Sequence, residues 1–278
     1  MNDLQATQLK ILKYFISFCD KHNITYFLCG GTCLGAVRHQ GFIPWDDDID
    51  VAIPREEYDR FIELATKEMN VEGSDYFLQT HETDKYYLYN FAKVRLNTTT
   101  FVEKQFKFAN MNQGVWIDVF PWDGMSLNEN YKKRELKRIR RNWFYMWASY
   151  PRVMYRKIRK KHFFKDFFAN FAYFILYPFA GLKSKRAKIE KIMRKVPYEK
   201  SFWTINAQGA IKAKPVPRHV IGDGVMFQFE DIKARIPTDY DTYLSIHYGD
   251  YMKLPKEEDR IGHGETYLCF NTKEDDYE

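Results

Sequence analysis

The apolar and polar positions of this chain change period several times, and each change marks an element. Leu4, Ile11, Leu12, Phe15 and Phe18 recur at helical spacing behind Asp3, a suitable N-cap, so residues 3–22 predict an amphipathic helix packed on a sheet. Tyr26-Phe27-Leu28-Cys29 is an unbroken apolar run and predicts a short strand. Gly30-Gly31-Thr32 ends it, and a short helical piece follows from Cys33 to about His39. Ile49 to Ile53 is β-branched and apolar apart from Asp50, which predicts a second strand. Pro54 opens a helix with Glu56, Glu57 and Asp59 early and Tyr58, Phe61, Ile62 and Leu64 as its apolar positions; the pattern fades near Met69. Tyr76–Thr80, Tyr87–Leu96 and Gly114–Pro121 read as further strands, Val225–Phe229 with Ile232–Ile236 as a hairpin, and Asp239–His247 as a short helix. The order predicts an α+β fold, a mixed sheet flanked by helices.

Charged residues inside these apolar runs are the candidate chemistry. Side chains alternate along a strand, so Asp48 and Asp50 share a face while Ile49 and Val51 enter the core. Two carboxylates there suit a hard divalent cation such as Mg²⁺, which takes oxygen ligands and bridges to phosphates. The Gly30-Gly31-Thr32 turn lets a phosphate approach the backbone, and a helix starting there aims its free N–H groups at the anion. Taken singly, a Gly-Gly is a turn and an Asp cluster is a solvated loop. In this order and spacing they make a phosphoryl-transfer site. Asp118 interrupts Val115-Trp116-Ile117-Asp118-Val119-Phe120. A carboxylate buried there alone would be costly, which makes it the third carboxylate of the metal site. Asp123, in Pro121-Trp122-Asp123-Gly124, is assigned to holding a turn. Lys93 and Arg95 share a strand face and serve either as solvated surface charges or as contacts to phosphate.

From Glu129 to about Lys200 the composition changes. Lys132, Lys133, Arg134, Lys137, Arg138, Arg140 and Arg141 form one basic run, and Arg152, Arg156, Lys157, Arg159, Lys160 and Lys161 another. Aromatic residues interleave, and Phe163 to Leu182 is nearly all aromatic or aliphatic. Lys165, Asp166 and Pro178 argue against a membrane crossing, so residues 129–200 predict a basic, aromatic-rich helical insertion on an anionic membrane surface. The alternative is a basic helical subdomain packed on the core. The division expected is a core at 1–128, the insertion at 129–200, and a C-terminal part at 201–278 that completes the catalytic domain.

Composition narrows the class. The chain has 278 residues, is 45% hydrophobic and 18% aromatic, and carries a formal net charge of +6. That balance suits an anionic partner. Cys19, Cys29, Cys33 and Cys269 have no CxxC spacing, which points to a reduced, cytoplasmic protein without a zinc site. No secretory signal opens the sequence.

Gly30-Gly31-Thr32, Gly35-Ala36-Val37-Arg38-His39 and Gly41-Phe42-Ile43-Pro44-Trp45-Asp46-Asp47-Asp48-Ile49-Asp50 together resemble the signature of the LicD family, similar to fukutin and fukutin-related protein within the nucleotidyltransferase superfamily. Ala92–Arg95 with Asn97-Thr98-Thr99, the strand bearing Asp118, and Tyr248–Tyr251 resemble further blocks of that family. His263 stands alone where the family often shows adjacent histidines, and no catalytic role is assigned to it. The resemblance implies a nucleotidyltransferase-like core. It implies a phosphotransferase that moves a phosphorylated alcohol from a CDP-linked donor to a sugar hydroxyl of a cell-surface glycan, such as a teichoic acid or lipopolysaccharide, or of its lipid-linked precursor, with release of CMP. Asp48, Asp50 and Asp118 would hold Mg²⁺, or Mn²⁺ in its place, with Asp46 a further ligand. Gly30, Gly31, Thr32 and Arg38 would hold phosphate oxygens, joined by Lys93 and Arg95. Asp118 or Asp50 would take the acceptor proton. CDP-choline is the favoured donor, because aromatic side chains cage a quaternary ammonium. The enzyme would be peripheral at the inner membrane face, and no nucleic-acid partner is expected. Two rivals stay open: a nucleotidyltransferase that attaches NMP and releases pyrophosphate, and a non-enzymatic membrane or nucleic-acid binding protein.

Overall fold

Helix α1 (Asp3–Lys21) forms where the periodicity places it, but its cap is Asn2 rather than Asp3. The Asn2 side chain accepts from the Gln5 N–H and the Gln5 side chain accepts from the Asn2 N–H, a reciprocal box that satisfies two free donors. Leu9, Ile11, Leu12, Phe15 and Phe18 are buried beneath it. The computed structural model describes residues 1–103, 106, 109–148, 171, 182–206, 214–260 and 265–270.

The mixed sheet is built from β1 (Phe27–Leu28), β2 (Asp50–Pro54), β3 (Tyr76–Gln79), β4 (Ala92–Leu96) and β6 (Val115–Met125), in the order β1-β2-β6-β4-β3. Strands β2 and β6 run parallel, and the other neighbours are antiparallel. Strand β6 is buried along its whole length and continues past the sheet to pair with β7 (Trp203–Ile205), which pairs in turn with β8 (Val216–Pro217). Strand β5 (Thr100–Glu103) pairs with β11 (Glu265–Cys269), and β9 (Val225–Phe229) with β10 (Ile232–Ile236) forms the expected hairpin. Helix α2 (Gly30–His39) connects β1 towards β2, and α3 (Arg55–Met69) follows β2 directly, with Pro54 as its cap. Helices α6 (Arg218–Ile221) and α7 (Tyr240–Tyr248) flank the hairpin, α7 capped by Asp239.

Three local expectations are corrected. Helix α2 begins at Gly30, not Cys33, so both glycines belong to its first turn. The strand expected over Tyr87–Leu96 forms only from Ala92, because the carbonyls of Tyr87 and Leu88 are taken by the guanidinium of Arg186 instead of a neighbouring strand. Asp123 holds no turn; it lies inside β6, fully buried, and its two carboxylate oxygens accept from Arg55 Nε and Nη2 at 2.6 and 2.9 Å.

Helices α4 (Glu129–Ala148) and α5 (Leu182–Met193) pack against each other. Ile139, Trp143 and Met146 of α4 and Ile189 and Met193 of α5 share a second apolar core with Leu88, Met125 and Ile205. The described ends of the 129–200 region are therefore seated on the sheet. The run Arg152–Lys161, the stretch 163–182 apart from Phe171 and Leu182, His263 and the acidic tail lie outside the described residues. Among the described residues no helix is long and apolar enough to cross a membrane. The main core joins Leu12, Phe15, Leu28 and Ile53 to Phe229, Ile236, Tyr243 and Leu244, so residues from both ends of the chain build it together.

Candidate active site

Strand register assembles the site. Asp50 on β2 lies directly opposite Asp118 on β6, and Asp118 lies opposite Lys93 on β4. Directly opposed residues in a sheet point to the same face. Asp50, Asp118 and Lys93 therefore form one row across three adjacent strands, although 68 residues separate the two carboxylates in sequence (118 less 50). Asp48 joins from the segment before β2: one carboxylate oxygen each of Asp48, Asp50 and Asp118 lies within 4.8 Å of the others. Asp46, Asp47 and Asp48 satisfy the same condition, so Asp48 belongs to both groups.

The glycine turn faces this row. A methyl group at Gly30 would stand 2.7 Å from Asp50 Oδ2, and one at Gly31 would stand 2.8 Å from Asp46 Oδ2. The carboxylates approach the first turn of α2 so closely that a larger residue would displace them, and Gly30 adopts φ +54°. The Gly30 N–H donates to the Tyr243 hydroxyl at 3.1 Å. Thr32 Oγ1 accepts from the Asp50 N–H at 2.8 Å and so fixes the start of β2.

Burial and mutual repulsion dominate the electrostatics. Burial first, then Asp48, Asp118 and Asp46, drive the Asp50 carboxyl well above the usual range, with Lys93 opposing. Asp118 is pushed up to about 6 by burial, less strongly than it would be without Lys93 beside it. Lys93 Nζ stands 3.2 Å from Asp118 Oδ1 and 3.5 Å from Glu103 Oε2, above the Trp116 ring at 3.7 Å from its centroid. Crowded carboxylate oxygens that hold one another's pKa up form a donor set that fits a hard divalent cation. Asp46, Asp48, Asp50 and Asp118 are the residues that would hold it.

Arg38 and Arg95 stand further off. Arg38 Nη1 donates to the Tyr251 carbonyl at 2.7 Å and Nε to His39 Nε2 at 3.0 Å. Arg95 is fully buried; Nε donates to Gln79 Oε1 at 2.6 Å and Nη1 to the Gly114 carbonyl at 2.5 Å.

Sequence reasoning did not single out Trp116 and Glu103, which frame Lys93, or the wall formed by α7. A cavity of about 240 Å³ opens beside Asp50 and Gly30, lined by Phe120 and Trp122 of β6, Tyr243, His247 and Tyr248 of α7 and its end, and Thr204 of β7. The β6 side was legible in principle: Asp118, Phe120 and Trp122 alternate and so share a face. The helix side carried only the i, i+4 pair Tyr243 and His247.

Residues 23–153 match the family described as LicD/FKTN/FKRP, nucleotidyltransferase domain. The lipopolysaccharide cholinephosphotransferase LicD of Haemophilus influenzae is 28% identical over 267 residues, which cover 95% of each chain. Uncharacterised proteins of Rickettsia typhi (52% over 44 residues, 16% of this chain and 14% of theirs) and Rickettsia prowazekii (60% over 37 residues, 13% and 14%) match short segments. Joined to the motif blocks and to the row that brings their carboxylates together, these matches show a LicD family domain over residues 23–153.

Proposed function

We propose that this protein transfers phosphocholine from a CDP-linked donor to a sugar hydroxyl of a cell-surface glycan, a lipopolysaccharide or its lipid-linked precursor, releasing CMP. The observation that carries the reading is the row Asp50–Asp118–Lys93 facing the Gly30-Gly31 turn. The acceptor class and the choline follow the activity for which the Haemophilus relative is named. A divalent cation, Mg²⁺ or Mn²⁺, held by Asp48, Asp50 and Asp118 with Asp46 in support, would neutralise charge on the donor diphosphate and on the departing CMP.

The chain's own residues do the rest. The first turn of α2 presents backbone N–H groups of Gly31 and Thr32 to a phosphate, with the helix dipole behind them. Lys93 keeps Asp118 oriented and places a fixed positive charge beside the phosphoryl group. A carboxylate of the row, Asp118 or Asp50, accepts the proton of the attacking hydroxyl. Positioning and electrostatics dominate, as in other phosphoryl transfers.

An anionic surface as a partner has support from the described helices. Arg138, Arg141, Lys185, Lys188, Lys191 and Lys195 line a groove of about 540 Å³ between α4 and α5. Glu129 pairs with Lys132, Glu135 with Lys195, and Glu190 with Arg194 and Arg55, so the acids of both helices are engaged with other partners than Arg138, Arg141, Lys188 and Lys191. Such a groove suits phosphate-bearing lipid at the membrane face where a lipid-linked acceptor would sit.

The deciding experiment incubates the protein with CDP-choline, CDP-ribitol or CDP-glycerol, Mg²⁺ and a glycan acceptor. Free CMP with CDP-choline preferred is expected. Release of pyrophosphate from a nucleoside triphosphate instead would establish the nucleotidyltransferase alternative.

A further inference from the structure

We propose that the cavity beside Asp50 receives the nucleobase of the donor, and that the Thr204 hydroxyl recognises it by hydrogen bonding. This rests on the reading of the protein as a user of a nucleotide-linked donor.

Thr204 is 1% exposed, and among the described residues its hydroxyl has no hydrogen-bond partner. Buried hydroxyls are nearly always paired, so an unpaired one in the wall of a cavity points to a ligand that completes it. The remaining walls suit a flat ring. Phe120, Trp122, Tyr243 and Tyr248 are among its lining residues, and bases stack on such faces. The cavity is smaller than the ~300–1,000 Å³ of a typical small-molecule cleft. It takes one ring, while sugar and phosphates extend towards Gly30 and Asp50, which also line it.

Aromatic walls would also attract the trimethylammonium group of choline. Two features oppose that occupant. Lys214 lines the cavity, its ammonium held by the carbonyls of Ile246 and His247 at 2.8 and 3.2 Å, and this fixed positive charge repels a second cation. A trimethylammonium group also has neither donor nor acceptor, so Thr204 would stay unpaired. A nucleobase is uncharged and offers both. His247 adds to this polar edge: burial and then Lys214 hold it down to about 4, so it is neutral at working pH and presents one N–H and one lone pair.

The test measures binding to the intact protein with Mg²⁺ by calorimetry, using CMP, ribose 5-phosphate and phosphocholine. CMP is expected to bind at least tenfold more tightly than ribose 5-phosphate. Thr204→Val keeps the side-chain shape, and it should weaken CMP roughly three- to tenfold while leaving the other two ligands unchanged. Thr204→Ser should retain CMP binding. A melting temperature of Thr204→Val no lower than that of the parent confirms that the fold is kept. Equal affinity for CMP and ribose 5-phosphate, or a Thr204→Val variant that weakens phosphocholine instead of CMP, would overturn the proposal. Nucleotide binding without phosphocholine transfer would overturn the assigned reaction and leave the base site standing.

Discussion

Asp118 shows how much one carboxylate depends on its neighbours. It shares a row with Asp50 and Lys93; burial raises its carboxyl, Lys93 lowers it, and Asp48 and Glu103 raise it further. Asp48→Asn or Asp50→Asn keeps size and removes charge. Either should lower phosphocholine transfer by ~10²–10³-fold, the loss typical of removing one electrostatic element from such a site. Circular dichroism should show the fold unchanged; transfer within a few-fold of the parent would sink the assignment. The same charges control stability in the metal-free protein. Asp118 is raised from an unfolded value of ~3.9 to about 6, and Asp50 is raised as well. A raised acid contributes stability that is complete below the unfolded pKa and lost as pH climbs through the folded one. The melting temperature of the metal-free protein should therefore fall between pH 4 and pH 7. Asp118→Asn should flatten that slope, and Mg²⁺ should raise the melting temperature more at pH 7 than at pH 5. Gly31→Ala belongs here too: its methyl group would stand 2.8 Å from Asp46 Oδ2, so it should weaken cation binding measured by calorimetry without unfolding α2.

Among the elements, α3 and β6 are locked by a buried ion pair. Arg55, at the first position of α3, holds Asp123 inside β6 and reaches Glu190 of α5 at 3.5 Å. Burial alone would raise the Asp123 carboxyl, and Arg55 opposes that. Arg55→Ala leaves a fully buried carboxylate without its bidentate partner and should cost about 3–5 kcal/mol in urea unfolding. Asp123→Leu combined with Arg55→Met should recover much of the loss, because a packed apolar pair carries no desolvation penalty. If the single variant cost less than about 1 kcal/mol, the pair would not be what joins helix to sheet.

For the whole molecule, the α4–α5 face sets the surface chemistry. Basic residues near an anionic bilayer contribute ~1 kcal/mol each. Replacing Arg138, Arg141, Lys188 and Lys191 by Gln should reduce sedimentation with anionic vesicles at least tenfold, even if only half of them reach the lipid. Hydrolysis of soluble donor should change little, while transfer to a lipid-linked acceptor should fall with vesicle binding. Unchanged sedimentation would leave the pair of helices as a packed subdomain alone.

Local pattern was enough for the elements whose cause is local. The apolar period of residues 3–21, the breaker Pro54 and the hairpin at Val225–Ile236 each carry their own physical signal, and so did the glycine turn and the Asp cluster within one continuous stretch. Sequence also marked Asp118, since a lone acid in an apolar strand needs a partner. What it could not supply was register. Only the parallel pairing of β2 with β6 and the antiparallel pairing of β4 with β6 bring Asp118 to Asp50 and Lys93, and a slip of one residue would turn each to the opposite face. The ends of Tyr87–Leu96 and the role of Asp123 were likewise decided from a distance, by Arg186 and Arg55, whose long side chains meet partners 99 and 68 residues away. Thr204 and the wall of α7 beside Asp50 carry no sequence signal, because a cavity exists only where separate elements fail to fill the space between them.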